Sequence, residues 1–225
     1  MTVPDISVQR IGSEQQPIVI VDGFHPDPDA LRALAAAASF ERARHHYPGI
    51  RAALADDYFA QVRPLLADVL RDVFGLGDAI ELIDASFSIV TTPPTELSLA
   101  QRLPHVDATG CERIALVHYL SPEGGDGTAF FRHRASGFET IDDARSEPYF
   151  ACLNAELRAG PPPPAAYVCD SDRWFERIAL SEGRYNRAVI YRSGMLHSGA
   201  IRRDAPLDAD PATGRLTITA FLAAH

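Results

Sequence analysis

The N-terminal third of the chain shows one strand pattern followed by helical patterns. Residues 17–21, PIVIV, form a short apolar run that predicts a strand. Asp27 and Pro28 then predict a helix start, because aspartate can cap free amide groups and proline suits the first helical position. Three apolar residues would share one face of this helix: Leu31, Leu34 and Ala38.

A second helix is predicted from about residue 56 to residue 74, and the pattern then becomes strand-like. Apolar side chains recur at helical spacing until Gly75 ends the run. Beyond residue 80, short strands alternate with turns, with one helical stretch at 136–158. The predicted strands are 86–92, 103–108, 113–120, 128–133, 175–180, 187–191, 197–201 and 215–223. Such a series predicts a sandwich or closed barrel, and the early helices would cover one sheet.

The last predicted strand has two chemically different faces. Its apolar face suits a sheet covered by helices and comprises Leu216, Ile218, Ala220 and Leu222. The face predicted to point into the barrel comprises Arg215, Thr217, Thr219 and Phe221. A buried arginine is costly unless it is paired, and a bound carboxylate would pair it. On strand 113–120, Tyr119 faces a cavity, whereas His118 faces the apolar side and is expected to be a core histidine.

Composition narrows the chemistry that the chain can perform. All 21 basic residues are arginine, and 30 acidic residues bring the net charge to −9. Without lysine the chain can form neither a Schiff base nor a Walker A phosphate loop. Any anionic small molecule must therefore be held by arginine, a helix N-terminus or a metal. The negative charge also argues against a nucleic-acid partner.

Export and membrane signals are missing from the sequence. The first residues lack the basic and apolar regions of a signal peptide, and no apolar run approaches the roughly 18 residues of a membrane span. The three cysteines, Cys111, Cys152 and Cys169, show no C-x-x-C spacing. We therefore expect a cytoplasmic protein without a membrane partner, and the sequence leaves a homodimer open.

The sequence contains two His-x-Asp motifs that are candidates for a metal site. His105 and Asp107 lie in a predicted strand, which would place both side chains on one face. They supply two thirds of a 2-His-1-carboxylate triad, which binds iron(II) and leaves positions open for substrate and oxygen. His197, downstream of an apolar strand, is the candidate third ligand. The motif at His25 reads as structural, because its Asp27 occupies a helix-cap position.

Residues from about 84 to 223 resemble the iron(II)/2-oxoglutarate-dependent oxygenases, on the prolyl-hydroxylase-like side of that superfamily, and an uncharacterised bacterial group within it. The matching positions are His105, Asp107, Tyr119 followed by Leu120 and Ser121, the glycine-rich turn before Thr128, His197 and Arg215. The resemblance implies a mainly β protein with flanking helices, built as a double-stranded β-helix, or jelly roll. It also implies that His105, Asp107 and His197 are both the iron ligands and the catalytic centre.

The resemblance further implies that Arg215 holds the distal carboxylate of 2-oxoglutarate. The assisting hydroxyl groups would come from Tyr119 and from Thr217 or Thr219. Arg215 follows His197 by 18 positions, more than is usual in the family, so Arg202 and Arg203 in the lengthened loop stay open as anchors. We prefer Arg215, because a strand holds a side chain more rigidly than a loop does.

The activity implied by the resemblance is hydroxylation of a C–H bond in a small-molecule or peptide substrate. Molecular oxygen and 2-oxoglutarate would be consumed, and succinate and carbon dioxide released. Asp107 favours hydroxylation over halogenation, because halogenating relatives lack this carboxylate. Two alternatives stay open: a cupin-like metal enzyme without 2-oxoglutarate, and a non-catalytic small-molecule-binding module on the same barrel.

One domain is predicted to span residues 1–225. Its N-terminal strand and supporting helices would occupy residues 1–80, and the β-helix core residues 84–224. An insert at residues 136–174, which contains four consecutive prolines, interrupts that core. Its role is open at this stage.

Overall fold

The computed structural model describes residues 3–43, 47–55, 57–77 and 79–225. In these ranges the chain forms three α-helices, α1 (Pro28–Ala37), α2 (Asp57–Asp72) and α3 (Asp143–Ala159). It also forms eleven strands: β1 (Asp5–Ile11), β2 (Gln16–Asp22), β3 (Glu41–Arg42), β4 (Gly49–Ala53), β5 (Ile80–Val90), β6 (Arg113–Tyr119), β7 (Gly125–His133), β8 (Phe175–Gly183), β9 (Arg187–Arg192), β10 (His197–Ala200) and β11 (Leu216–Ala224).

The strands form two sheets that share an apolar interior. The large sheet has the order β1-β2-β9-β6-β11-β5-β4-β3, and the small sheet has the order β10-β7-β8. One buried cluster joins Ala115, Val189 and Tyr191 of the large sheet to Phe130 of the small sheet. The predicted fold class is confirmed: the protein is mainly β, with flanking helices on a double-stranded β-helix.

Helices α1 and α2 cover the outer face of the large sheet, as predicted. Leu31 of α1 and Leu66 of α2 belong to the same buried cluster as Leu216 and Ile218 of β11. Asp27 caps α1 by accepting a hydrogen bond from the Ala30 amide at 3.0 Å. The expectation for Leu34 was wrong, because this residue is 45% exposed; the following residue, Ala35, takes its place in the core.

The inward face of the large sheet is divided into an apolar and a polar half. Strands β6 and β9 contribute the apolar cluster, whereas β5 and β11 present serine and threonine side chains inward. Ser88 pairs in register with Thr217, and Ser86 with Thr219. Because a polar interior is costly to bury, this half indicates a place for a polar ligand.

The strand predicted at residues 103–108 does not form. His105 makes one isolated bridge to His197, and the segment is otherwise irregular. Pro104 lacks the amide proton that a ladder needs, which explains why the pairing stops there. The described part of the chain also contains three strands that the apolar pattern did not indicate, β1, β3 and β4.

Helix α3 is shorter at its start than predicted. Asp142 caps it by accepting from the Arg145 amide at 2.8 Å, so the helix begins at residue 143 rather than at 136. The predicted start of α2, residue 56, lies outside the described residues. No helix in the described ranges is long and apolar enough to cross a membrane.

His118 is a core histidine with partners on both ring nitrogens, as predicted. Its Nδ1 lies 3.2 Å from the Tyr58 hydroxyl, and its Nε2 lies 3.0 Å from Oδ1 of Asn186. Burial lowers the pKa of His118 to about 3, with the hydrogen bond to Asn186 opposing the shift. The folded protein therefore holds this imidazole neutral.

The low pKa of His118 predicts acid-dependent destabilisation. Below about pH 6.5 the unfolded chain binds a proton at this residue and the folded chain does not. The resulting loss of stability grows as the pH falls from about 6.5 towards 3, by up to about 1.4 kcal/mol per pH unit. In urea unfolding at neutral and mildly acidic pH, the wild type should lose more stability than His118→Gln. Parallel losses in the two proteins would contradict this.

Candidate functional site

Three side chains from separate parts of the sequence converge at one edge of the interior. The Nε2 atom of His105 lies 3.8 Å from Oδ1 of Asp107, and the Nε2 atom of His197 lies 3.4 Å from Oδ2 of Asp107. One potential ligand atom from each residue lies within 4.8 Å of the other two. Two imidazoles and a carboxylate in this arrangement can bind one metal ion from one side.

Backbone hydrogen bonds hold the two histidines side by side. The amide of His105 donates to the carbonyl of His197, and the reverse bond is also made, each at 2.9 Å. The amide of Asp107 donates to the Ser193 carbonyl at 2.9 Å. This places Asp107 beside the turn between β9 and β10, although residues 103–108 form no strand.

The turn at Gly194 packs closely against the backbone at Ile141. A Cβ atom there would lie 2.8 Å from the Ile141 carbonyl oxygen. The Ile141 amide in turn donates to the Gly194 carbonyl at 2.7 Å. A glycine at this position therefore lets the backbone segments approach closely enough to position His197 and the Asp107 loop.

His197 is oriented by a second hydrogen bond. Its Nδ1 lies 2.9 Å from the Met195 carbonyl oxygen, which can only accept, so the proton is on Nδ1. The lone pair of Nε2 then points towards Asp107, which is the tautomer that a metal ligand needs.

The exposed fraction of the side chain increases from His197 through Asp107 to His105. His197 is 7% exposed, Asp107 is 16% exposed and His105 is 51% exposed. The cluster therefore lies at the mouth of the interior, with His105 on the solvent side.

Arg215 lies inside the barrel, close to Tyr119. Its Nη2 atom donates to the Gly127 carbonyl at 3.1 Å, and its guanidinium carbon lies 5.5 Å from the centre of the Tyr119 ring. The Nε atom is buried without a hydrogen-bond partner among the described residues, and the guanidinium forms no ion pair with a described carboxylate. This leaves a cation in the interior without a compensating carboxylate among the described residues.

Hydroxyl groups surround the arginine. Thr217 is fully buried and donates to the Ser88 carbonyl at 3.2 Å, and Thr219 lies 2.9 Å from the Ser88 hydroxyl. The Tyr119 hydroxyl lies 2.6 Å from that of Thr128 on the opposite sheet. The predicted residues Tyr119, Thr217 and Thr219 thus share one interior, but their hydroxyls already have protein partners.

Tyr47, in the segment before β4, also lies close to Arg215 in this interior. Burial raises the pKa of its phenol, and the positive charges of Arg215 and Arg51 oppose that shift. Ser88 and Thr217 lie near enough to influence it, yet the Tyr47 hydroxyl makes no hydrogen bond of normal geometry to a described residue. Tyr47 precedes β4 and reaches the interior only because β4 pairs with β5.

The insert adds a further tyrosine. The Tyr167 hydroxyl donates to the Thr92 carbonyl at 2.7 Å, and its pKa is raised by burial and by its proximity to Tyr47. Arg215 acts on Tyr167 in the opposite direction. The segment after the proline tract therefore lies against the same interior.

Tyr191 lies near both the candidate metal ligands and Arg215. Its ring lies 4.9 Å from that of His197 in an edge-to-face arrangement. Burial raises its pKa, Asp107 raises it further, and Arg215 lowers it. One buried phenol thus packs against His197 and lies within electrostatic range of both Asp107 and Arg215.

Arg202 and Arg203, the alternative candidates for the 2-oxoglutarate anchor, lie outside the interior of the barrel. Arg202 is 63% exposed and pairs with Asp126 at 2.9 Å, and Arg203 is also exposed. Of the three candidate arginines, Arg215 alone faces the interior.

The structure is similar to several solved structures at low sequence identity. It matches HygX from Streptomyces hygroscopicus with iron bound (14% identity, TM-score 0.49, 94% of this chain and 83% of that one). It matches the non-haem alpha-ketoglutarate-dependent epimerase SnoN from nogalamycin biosynthesis (12% identity, TM-score 0.48, 94% and 79%). It also matches an N-substituted L-amino acid dioxygenase from Burkholderia ambifaria AMMD (10% identity, TM-score 0.44, 100% and 96%).

A comparison with curated proteins finds no match to this sequence. A family model described as "Family of unknown function (DUF6445)" matches residues 2–222, which is nearly the whole chain. The chain therefore belongs to the DUF6445 family.

Proposed function

We propose that this protein is a non-haem iron(II)/2-oxoglutarate-dependent oxygenase that hydroxylates a C–H bond of a small-molecule or peptide substrate. The proposal is carried by one observation. A 2-His-1-carboxylate cluster and an arginine without a carboxylate partner among the described residues both lie within electrostatic range of the buried Tyr191.

The donor set of the cluster fits iron(II). His105, Asp107 and His197 offer two imidazole nitrogens and one carboxylate oxygen, a set typical of non-haem iron sites that keep positions open. The Nδ1 proton of His197 is directed to the Met195 carbonyl, so its Nε2 is free to bind. Asp107 supplies the negative charge that partly offsets the charge of the metal.

The polar half of the interior fits a dicarboxylic keto acid. The unpaired Nε of Arg215 can complete a two-pronged contact with a carboxylate. The buried Tyr47 hydroxyl can donate to the same group, and Thr217 lies beside it. A bound carboxylate would thus satisfy two buried polar atoms that otherwise have no partner among the described residues.

Each side chain then has a definite task. When bound, the iron and the keto acid would supply oxidative decarboxylation to succinate and carbon dioxide and the oxidation of the substrate by molecular oxygen. Arg215 and Tyr47 would hold the distal carboxylate and so orient the keto acid towards the cluster. The 51% exposure of His105 leaves the solvent side for the substrate. Because Asp107 occupies a ligand position that chloride would need, we propose hydroxylation rather than halogenation.

Removing one histidine should abolish iron binding. His197→Ala takes away the least exposed ligand and leaves a two-ligand site without the geometry of the triad. Metal analysis after anaerobic iron loading should show little iron in this variant and a full equivalent in the wild type. His25→Ala, in the other His-x-Asp motif, is the control and should retain iron. Wild-type occupancy in His197→Ala would exclude this ligand.

Arg215→Ala should bind iron nearly normally and 2-oxoglutarate very weakly. Removing one member of a buried ion pair costs about 3–5 kcal/mol, which corresponds to roughly two to three and a half orders of magnitude in affinity. Calorimetric titration of the metal-loaded protein measures this loss. Arg202→Ala, whose side chain is exposed and paired with Asp126, should bind as the wild type does. If Arg202→Ala lost 2-oxoglutarate binding and Arg215→Ala retained it, the anchor would be the loop arginine instead.

Tyr47→Phe should lower the affinity for 2-oxoglutarate without lowering the stability of the unliganded protein. Losing a hydrogen bond to a charged group costs about 1.5–3 kcal/mol, so affinity for 2-oxoglutarate should fall by about tenfold or more. The free energy of unfolding of the unliganded protein should stay equal or rise, because an unpaired buried hydroxyl is removed. Undiminished affinity would remove Tyr47 from the proposed site.

Turnover distinguishes the proposal from its alternatives. Succinate should form only when iron(II), 2-oxoglutarate and oxygen are all present, and mass spectrometry of a converted substrate should show one added oxygen atom. A cupin-like enzyme would oxidise substrate without succinate release, and a binding module would do neither. A chlorinated product in the presence of chloride would argue against the role given to Asp107.

A further inference from the structure

A second group of metal-ligating side chains lies outside the proposed iron site. It comprises His133 at the end of β7 with Cys152 and Glu156 of α3. One ligand atom of each residue lies within 4.8 Å of the other two. None of the three has a task in the proposed oxygenase chemistry.

The sequence spacing brings these groups together through the fold. Cys152 and Glu156 are four residues apart on a helix, so they share one face. That helix packs on the small sheet, because Leu153 and Tyr149 join the buried cluster that contains Phe175. The two helix residues therefore point at the strand end where His133 stands.

His133 is held rigidly enough to act as a ligand. It has no exposed surface, and its ring lies 5.2 Å from each of the Tyr149 and Phe175 rings. Its Nε2 atom lies 2.7 Å from Oε2 of Glu156, and its Nδ1 atom lies 2.9 Å from the Ser136 hydroxyl. Ser136 also accepts from the Phe138 amide at 3.3 Å.

The hydrogen bonds around His133 can be satisfied in two ways. In the first arrangement the Ser136 hydroxyl donates to Nδ1, and Nε2–H donates to Glu156. In the second arrangement Nδ1–H donates to Ser136 Oγ, which keeps its bond from Phe138, and the Nε2 lone pair becomes available. This second arrangement is the one in which outer hydrogen bonds orient a metal-ligating histidine.

We infer that His133, Cys152 and Glu156 form a second metal site, for a divalent ion of the zinc class. One imidazole, one thiolate and one carboxylate are ligands that zinc takes in proteins, and a water molecule would complete four-coordination. Binding replaces the proton between Nε2 and the carboxylate. With a neutral imidazole, that proton is relocated to Nδ1, and the Cys152 thiol proton is released to solvent.

The site would connect the insert to the β-helix core. His133 belongs to the small sheet, whereas Cys152 and Glu156 belong to the insert that also carries Tyr167. An ion that binds only the folded protein stabilises it in proportion to its occupancy. Its role is therefore structural, and it is independent of the proposed oxygenase activity.

Cobalt(II) distinguishes this site from the iron site, because only this one contains a thiolate. Titration of the full-length protein with cobalt(II) alone should give a thiolate-to-cobalt charge-transfer band in the near ultraviolet. Cys152→Ser should lose the band, and His197→Ala should keep it. Glu156→Gln, which can still accept the His133 hydrogen bond, should weaken cobalt binding. Ser136→Ala should weaken it by about 10–100-fold, the usual effect of removing an outer-shell partner.

Cys111→Ser is the matched control, since Cys111 is an exposed cysteine outside the group; it should keep the band. Zinc alone should raise the melting temperature of His197→Ala, which lacks a ligand of the proposed iron site, but not that of the double variant His197→Ala/Cys152→Ser. If the wild type shows no thiolate band, or if the band survives in Cys152→Ser, the site does not exist as described. Loss of the band in Cys111→Ser would assign it to adventitious binding.

Discussion

The central strands of the large sheet are buried on both faces, and the rest of the architecture depends on this constraint. Its outer face must be apolar to pack against α1 and α2, and its inner face must meet the small sheet. Strict alternation along β11 meets both demands in one strand: Leu216 and Ile218 point to the helices, and Thr217 points to the interior. A shift of one residue would exchange these faces and bury the polar side chains under the helices.

Burying polar groups in the interior is tolerable only where they have partners. Tyr119 and Thr128 satisfy each other across the two sheets, and Thr217 is bonded to β5. Arg215 and Tyr47 retain buried polar atoms without described partners. Two of the buried polar atoms that lack a partner among the described residues thus lie at the place where we propose that a dicarboxylic ligand binds. Stability of the unliganded protein and affinity for that ligand would then oppose each other at these two residues.

The two proposed metal sites differ in the hydrogen-bond partner of the Nδ1 atom of their histidines. At His197 a backbone carbonyl accepts from Nδ1, so Nε2 is available without rearrangement. At His133 the partner of Nδ1 is a hydroxyl, which can donate or accept. The first environment suits a permanently available catalytic ligand. The second suits a site that exchanges a proton for a metal ion and changes little else.

The amino-acid pattern by itself determined eight of the eleven described strands, the two helices on the outer face, the cap at Asp27 and the inward direction of Arg215. These follow from local alternation and capping, which act over a few residues. His105 and Asp107 were also identified from sequence, but for a partly wrong reason, since no strand aligns them. Only the tertiary structure decided their proximity to His197, through the reciprocal backbone bonds of residues far apart in the chain. The contributions of Tyr47 and Tyr191 and the His133 group were likewise set by long-range strand and helix pairing, which leaves no periodic signal in the sequence.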